Sequence, residues 1–117
     1  MKILVAGEID FPAENRTAVL EGARELIAMA LAEPGCRSYT WTADPYDARR
    51  VHVFEEWDCA ADLQAHLDGP AYRRMFSHLS AFSILAADTR KYRVEASGPV
   101  YGADGVATAA FDLSHAD

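Results

Sequence analysis

His66 is the residue best suited by type to acid–base chemistry, because an unperturbed imidazole titrates at about 6.5, near working pH. It shares a helical face with Leu63 and Pro70 by i, i+3 and i+4 spacing, and that face is predicted to turn toward a sheet. Glu55 and Trp57 are alternate residues of one extended run and therefore point to the same side. A base, a carboxyl group that orients it and an indole platform would together serve proton transfer with an aromatic ligand. Tyr72 and Phe76, one helical turn apart, could form the lid of such a pocket. The same residues also support plainer roles. His66 could hydrogen-bond a carboxylate such as Glu55 and pack helix onto strand, and Glu55 could pair with an arginine. Trp57, Tyr72 and Phe76 could be ordinary core.

These side chains need elements to hold them. Residues 2–10 are an apolar run (Ile3, Leu4, Val5, Ile9) ending at Asp10-Phe11-Pro12, which predicts a strand and then the first turn of a helix. Over 13–33 the period becomes helical, with Leu20, Ala23, Ile27, Ala30 and Leu31 on one face, until Pro34-Gly35 stops it. Residues 36–42 and 51–57 alternate as strands around the turn-forming stretch 43–48, predicting an antiparallel hairpin. Asp58 is the expected cap of a short helix carrying Leu63, His66 and Leu67; Gly69-Pro70 breaks it, and a second helical segment is predicted over 71–86. Residues 89–97, with Tyr92 and Val94, supply the fourth strand.

The order β-α-β-β-α-β predicts an α+β, ferredoxin-like fold, one four-stranded antiparallel sheet with helices on one face. Val51, Val53, Glu55 and Trp57 share one side of their strand and His52, Phe54 and Glu56 the other; Tyr39 and Trp41 are assigned, with Phe54, to the face away from the helices. Leaving large groups on that face in water would forfeit roughly 1.5–3 kcal/mol each, so a homodimer through sheet-to-sheet packing is expected. Residues 1–98 make up this domain. The remaining 99–117 form a tail with a turn candidate at Asp104-Gly105 and a frayed end at Ser114-His115-Ala116-Asp117, its middle an extra strand or an arm on the partner subunit.

At 117 residues, half of them hydrophobic, the chain suits one domain whose core needs no metal or disulfide staple. A net charge of −7 disfavours nucleic acid and anionic lipid as partners. The adjacent basic pairs Arg49-Arg50, Arg73-Arg74 and Arg90-Lys91 read as solvated surface. No apolar run approaches the ~20 residues that span a bilayer, and Glu8 comes too early for a signal peptide, so a cytoplasmic location is expected. Cys36 and Cys59 have neither CxxC spacing nor a histidine cluster nearby; they read as reduced packing residues, and no metal site is expected. His52 and His115 are expected to be exposed.

The series Pro34-Gly35-Cys36-Arg37-Ser38-Tyr39, the hairpin loop, Val53-Phe54-Glu55-Glu56-Trp57 and Ala65-His66-Leu67 followed by Tyr72 and Phe76 resembles, in order and spacing, the signature of the antibiotic biosynthesis monooxygenase family over about residues 2–97. The resemblance implies a dimeric α+β barrel with two sheets face to face and, in each subunit, a pocket between sheet and helices. Similar members oxidise quinols or aromatic polyketides with molecular oxygen and neither metal nor flavin, while others degrade haem. The haem-degrading pattern has Asn, Trp and His where this chain has Gly7, His66 and Phe76. His78, two residues past Phe76, is turned about 200° away around a helix, so haem is not expected. The resemblance thus implies a cofactor-independent monooxygenase of a quinol or polycyclic phenol, with His66 catalytic and Glu55, Trp57, Tyr72 and Phe76 around the substrate. The alternative, from another class, is a dimer that binds a small hydrophobic metabolite as sensor or carrier without turning it over.

Overall fold

The computed structural model describes residues 1–111, so the expectations for Ser114–Asp117, His115 included, lie outside the described residues. Strand β1 is Ile3–Asp10, and a short 3-10 turn over Ala13–Asn15 leads into helix α1, Arg16–Leu31. Strands β2 and β3 are Cys36–Ala43 and Arg50–Trp57, helices α2 and α3 are Ala60–Leu67 and Pro70–Leu79, and strand β4 is Ala86–Arg93. The sheet order is β2-β3-β1-β4 with every neighbouring pair antiparallel. Strand β3 is thus inserted between β1 and β2, which is the expected ferredoxin-like arrangement.

The core lies between α1, α2, α3 and one face of the sheet. Ala23 and Ala30 are completely buried on α1 and let Leu26, Tyr39, Trp57 and Met75 close in around them. A second cluster, Ile9, Phe11, Val19, Val51 and Val53, fills the other end. The buried stripe of α1 is Val19, Ala23, Leu26 and Ala30, rotated from the predicted one: Leu31 is exposed, and Leu20 and Ile27 are half-buried. Both stripes contain Ala23 and Ala30, so the helical period alone does not choose between them.

The β2–β3 loop is built from polar groups. The Asp44 carboxylate accepts the Tyr46 and Asp47 backbone N–H groups at 2.8 and 2.7 Å, and the Arg16 guanidinium donates to the carbonyls of Asp47 and Asp44 at 2.7 and 3.2 Å. His52, expected to be exposed, is half-buried and bonds Asp44 Oδ2 at 2.7 Å. A bulge between Cys36 and Ser38 shifts the register, after which Tyr39 pairs with Glu55 and Trp41 with Val53. Residues directly opposite in a sheet share a face. Tyr39 and Trp41 therefore belong to the helix side, which corrects their assignment to the outer face beside Phe54.

The helix after β3 starts differently from expectation. Asp58 is bonded twice to Arg37, at 2.8 Å each, and Cys59 occupies the cap position without capping the backbone, its thiol donating instead to the Asp62 carboxylate at 3.2 Å. Helix α3 ends at Leu79 rather than at 86, where Ser80 turns its hydroxyl back onto the Phe76 carbonyl at 2.7 Å. The Leu85 N–H then bonds the Asp10 carbonyl at 2.8 Å, and β4 begins at Ala86 opposite Asp10 instead of at Thr89. Among the described residues no helix packs closely over β4, and all eight of its residues are exposed. On the outer face the register brings Phe54 beside Ala6, and Glu56 and Tyr92 to either side of Leu4; Phe54 and Tyr92 are 40% and 51% exposed.

Beyond β4 the chain makes a small turn in which Val106 N–H reaches the Asp104 carboxylate at 2.9 Å and Thr108 N–H reaches the Val100 carbonyl at 2.9 Å. Val100, Tyr101, Val106 and Phe111 are all exposed on it. Both cysteines are free and half-buried. No helix among the described residues is long and apolar enough to cross a membrane.

Candidate functional site

Helix α2 turns Leu63 and His66 inward, and His66 is 3% exposed. Its Nδ1 lies 2.5 Å from Glu33 Oε1. A carboxylate offers only acceptors, so Nδ1 is the donor in this contact. Nε2 makes no hydrogen bond among the described residues and is not sealed off by its surroundings. Three aromatic rings fix the imidazole plane: Trp57 at 4.7 Å between centroids, Tyr39 edge-on at 5.3 Å, and Tyr72 stacked at 5.9 Å. The carboxylate partner is therefore Glu33 rather than Glu55. Glu33 follows the last turn of α1, where the helix dipole disfavours a negative charge; that misfit was the signal in the sequence that the group answers to something else.

Glu55 faces the same space from the sheet. It is 7% exposed, opposite Tyr39 on one side and Val5 on the other, and accepts the Trp57 indole N–H at 2.9 Å. Burial raises its pKa above the ordinary carboxyl value, against the opposing pull of the Trp57 N–H and of His66. Burial, and next the charge of Glu55, push the Tyr39 phenol up as well, so it remains a protonated donor. Burial and the charges of Glu55 and Glu33 likewise lift the Cys36 thiol to about 11, which leaves it inert at neutral pH. The Trp41 indole N–H is buried with no partner in hydrogen-bond geometry, although it lies near enough to Tyr39 to favour the phenolate.

These groups border a cavity of about 600 Å³ between the sheet and helices α2 and α3. Its floor is Val5, Ile9 and Val53, its roof Leu63, Met75 and Leu79, and its polar end Glu55, His66 and Tyr39. Tyr72 and Phe76 line it too, their rings edge to face at 6.4 Å, with Phe76 exposed at the rim. Because no described element covers β4, the cavity opens past Thr89, Arg90 and Lys91. Of the five residues singled out in the sequence, Glu55, His66, Tyr72 and Phe76 come together on this wall. Trp57 lies behind it, fully buried, its N–H spent on Glu55 and its ring on His66. Among the described residues no three His, Cys, Asp or Glu side chains are grouped to hold a metal ion.

His78 is engaged elsewhere. Its Nε2 hydrogen-bonds the Val19 carbonyl at 2.9 Å, and its ring lies on Gly22, where a Cβ would collide with Cε1.

The model of the antibiotic biosynthesis monooxygenase family matches residues 2–77. No curated protein matches the chain. Among solved structures, a conserved protein from Methanosarcina mazei Go1 is 22% identical, with 80% of this chain and 92% of that one covered at a TM-score of 0.72. A protein from Deinococcus radiodurans, provisionally named an antibiotic biosynthesis monooxygenase, is 17% identical over 86% and 99% of the two chains at 0.77. A protein from Mycobacterium tuberculosis is 18% identical over 85% and 100% at 0.74. At such identities the likeness establishes the fold.

Proposed function

Because the chain belongs to the antibiotic biosynthesis monooxygenase family, we propose that its cavity oxidises a quinol or polycyclic phenol with molecular oxygen, without metal or organic cofactor. The observation that carries this reading is the Glu33–His66 pair, which leaves a free imidazole nitrogen at the polar end of an otherwise apolar cavity.

The chemistry balances with groups that are present. His66 Nε2 takes the proton of a bound phenol, and the Glu33 carboxylate stabilises the imidazolium that results. The electron-rich anion passes one electron to oxygen, and the radical pair joins at the neighbouring ring carbon as a hydroperoxide. Removal of the proton on that carbon then breaks the O–O bond. One oxygen atom stays as a carbonyl and the other leaves as water, so a quinol and dioxygen give a hydroxyquinone and water, and no external reductant is consumed. Tyr39 is the donor for the developing oxyanion, and the apolar walls keep the anion dry. Haem is not part of this proposal, since the nitrogen that would be its candidate ligand, on His78, is bonded to Val19.

The homodimer belongs to the same proposal. A second copy on the outer sheet face would cover Phe54, Tyr92 and Leu4, and the exposed apolar turn over 100–108 would supply the arm that crosses to it.

The test is oxygen uptake with menadiol and with anthrone, corrected for autoxidation. His66→Ala is expected to lower kcat by about a hundredfold or more, and Glu33→Gln, which keeps an acceptor for Nδ1 but no charge, by about tenfold. Undiminished uptake in a folded His66→Ala protein would remove His66 from the mechanism. Ligand binding without any uptake would favour the carrier or sensor reading.

A further inference from the structure

One row of side chains crosses all four strands on the cavity side. The register pairs Tyr39 with Glu55, Glu55 with Val5, and Val5 with Lys91. All four line the cavity. Neighbouring strands are about 4.8 Å apart, so Glu55 and Lys91 are separated by roughly 10 Å at the backbone, with apolar floor between them. The cavity is therefore polar at both ends and apolar in the middle, over about the length of a fused bicyclic or tricyclic ring system.

The two ends differ in charge. Among the described residues Glu55 is the only acid lining the cavity, at the His66 end, while the open end carries Lys91; Arg90, opposite Ala6, belongs to the outer face. Arg90 is committed to Asp88, with bonds of 3.0 and 3.4 Å. Lys91 makes no ion pair among the described residues. A free ammonium at the mouth of an apolar cavity is not a by-product of composition in a chain of net charge −7. A neutral polycyclic ligand leaves this ammonium without a partner, whereas an anionic one would engage it.

We propose that the substrate of this site is a fused-ring phenol that bears a carboxylate or similar anionic group at the end remote from the reacting hydroxyl, and that Lys91 binds that group. This rests on the reading of the cavity as the site for a polycyclic phenol, and it narrows that class to anions. Lys91 then selects and orients the substrate, while the uncovered edge at β4 lets its anionic end stay partly hydrated. A cationic mouth also speeds encounter with an anion, which a protein of this net charge otherwise repels.

Two probes that cannot be oxidised at a phenol separate this proposal from the catalytic one: anthracene-2-carboxylate and the neutral anthracene-2-carboxamide, titrated by fluorescence anisotropy. The wild-type protein is expected to bind the carboxylate about tenfold more tightly than the amide, as a charge-assisted contact would give. Lys91→Met should bring the two affinities together without weakening the amide, and Lys91→Arg should restore the preference. Lys91 is exposed on an edge strand, so neither variant threatens the fold. Equal affinities in the wild type, a preference that survives Lys91→Met, or failure to bind either probe each overturn the proposal. If the preference holds but no phenol supports oxygen uptake, the catalytic reading fails and the anion-selective site stands.

Discussion

Burial of Glu55 makes a prediction about pH. A carboxyl that holds its proton more tightly in the folded chain contributes stability below its unfolded pKa, near 4.3, and loses it as pH rises through the folded value. The folded pKa of Glu55 is raised, chiefly by burial, so ionisation of this group works against the fold at neutral pH. Glu55→Gln keeps an oxygen for the Trp57 N–H and cannot ionise. Calorimetry should find the variant more stable than wild type at about pH 7.5, with the gap closing toward about pH 4; each unit of pKa displacement is worth about 1.4 kcal/mol. Identical profiles would mean that the carboxyl is not desolvated. His66 could be recognised from type and spacing alone, but its partner could not. Glu33 is 33 residues away, just past the end of α1, and only the tertiary fold brings the two together. Glu55 was the nearer guess because strand alternation placed it on the right face.

At the level of elements, one glycine sets the path from α1 into the sheet. Gly35 has φ of +77°, and a Cβ there would run into the Asp62 carboxylate. Gly35→Ala is expected to cost about 1–2 kcal/mol from the backbone alone, which lowers Tm by about 4–8 °C per kcal/mol in a domain of this size. A Tm unchanged by scanning calorimetry would contradict this account. The bulge just after Gly35 explains what alternation could not convey. A regular reading of 36–42 puts alternate residues on opposite faces, but only the pairing of Tyr39 with Glu55 tells which set faces the helices. The end of α3 was similarly hidden, because Phe82 continues the apolar pattern of the helix although it packs from the turn beyond it, edge-on to His78. Element order and type, in contrast, came directly from the change of period between 10 and 16 and from Pro34-Gly35.

At the scale of the molecule, helices cover one side of the sheet except at β4, and the other side is left open. The open side is only partly apolar: Phe54, Tyr92, Leu4 and Ala6 form its centre, with His52, Glu8 and Glu56 around them. Stable homodimers bury at least about 1,200 Å² in total, and the exposed apolar turn over 100–108 would extend the contact made by this centre. Sedimentation equilibrium should find a dimer in the wild type, and Phe54→Glu should shift it toward monomer by opposing two carboxylates across the two-fold axis. A wild-type monomer at micromolar concentration would contradict sheet-to-sheet pairing. The fold class was legible because each element carries its own period, whereas the placement of the tail depends on a surface that no local pattern encodes.

The chain has only two tryptophans, and the fold gives them different surroundings. Trp41 lies in the cavity wall, and Trp57 is completely buried against the imidazole of His66. An aromatic ligand entering the cavity changes the emission of the first. The second, packed on the His66 ring outside the cavity lining, serves as an internal reference. Occupancy of the cavity and integrity of the core are thus written into separate optical signals, which single-tryptophan variants can resolve without any added dye.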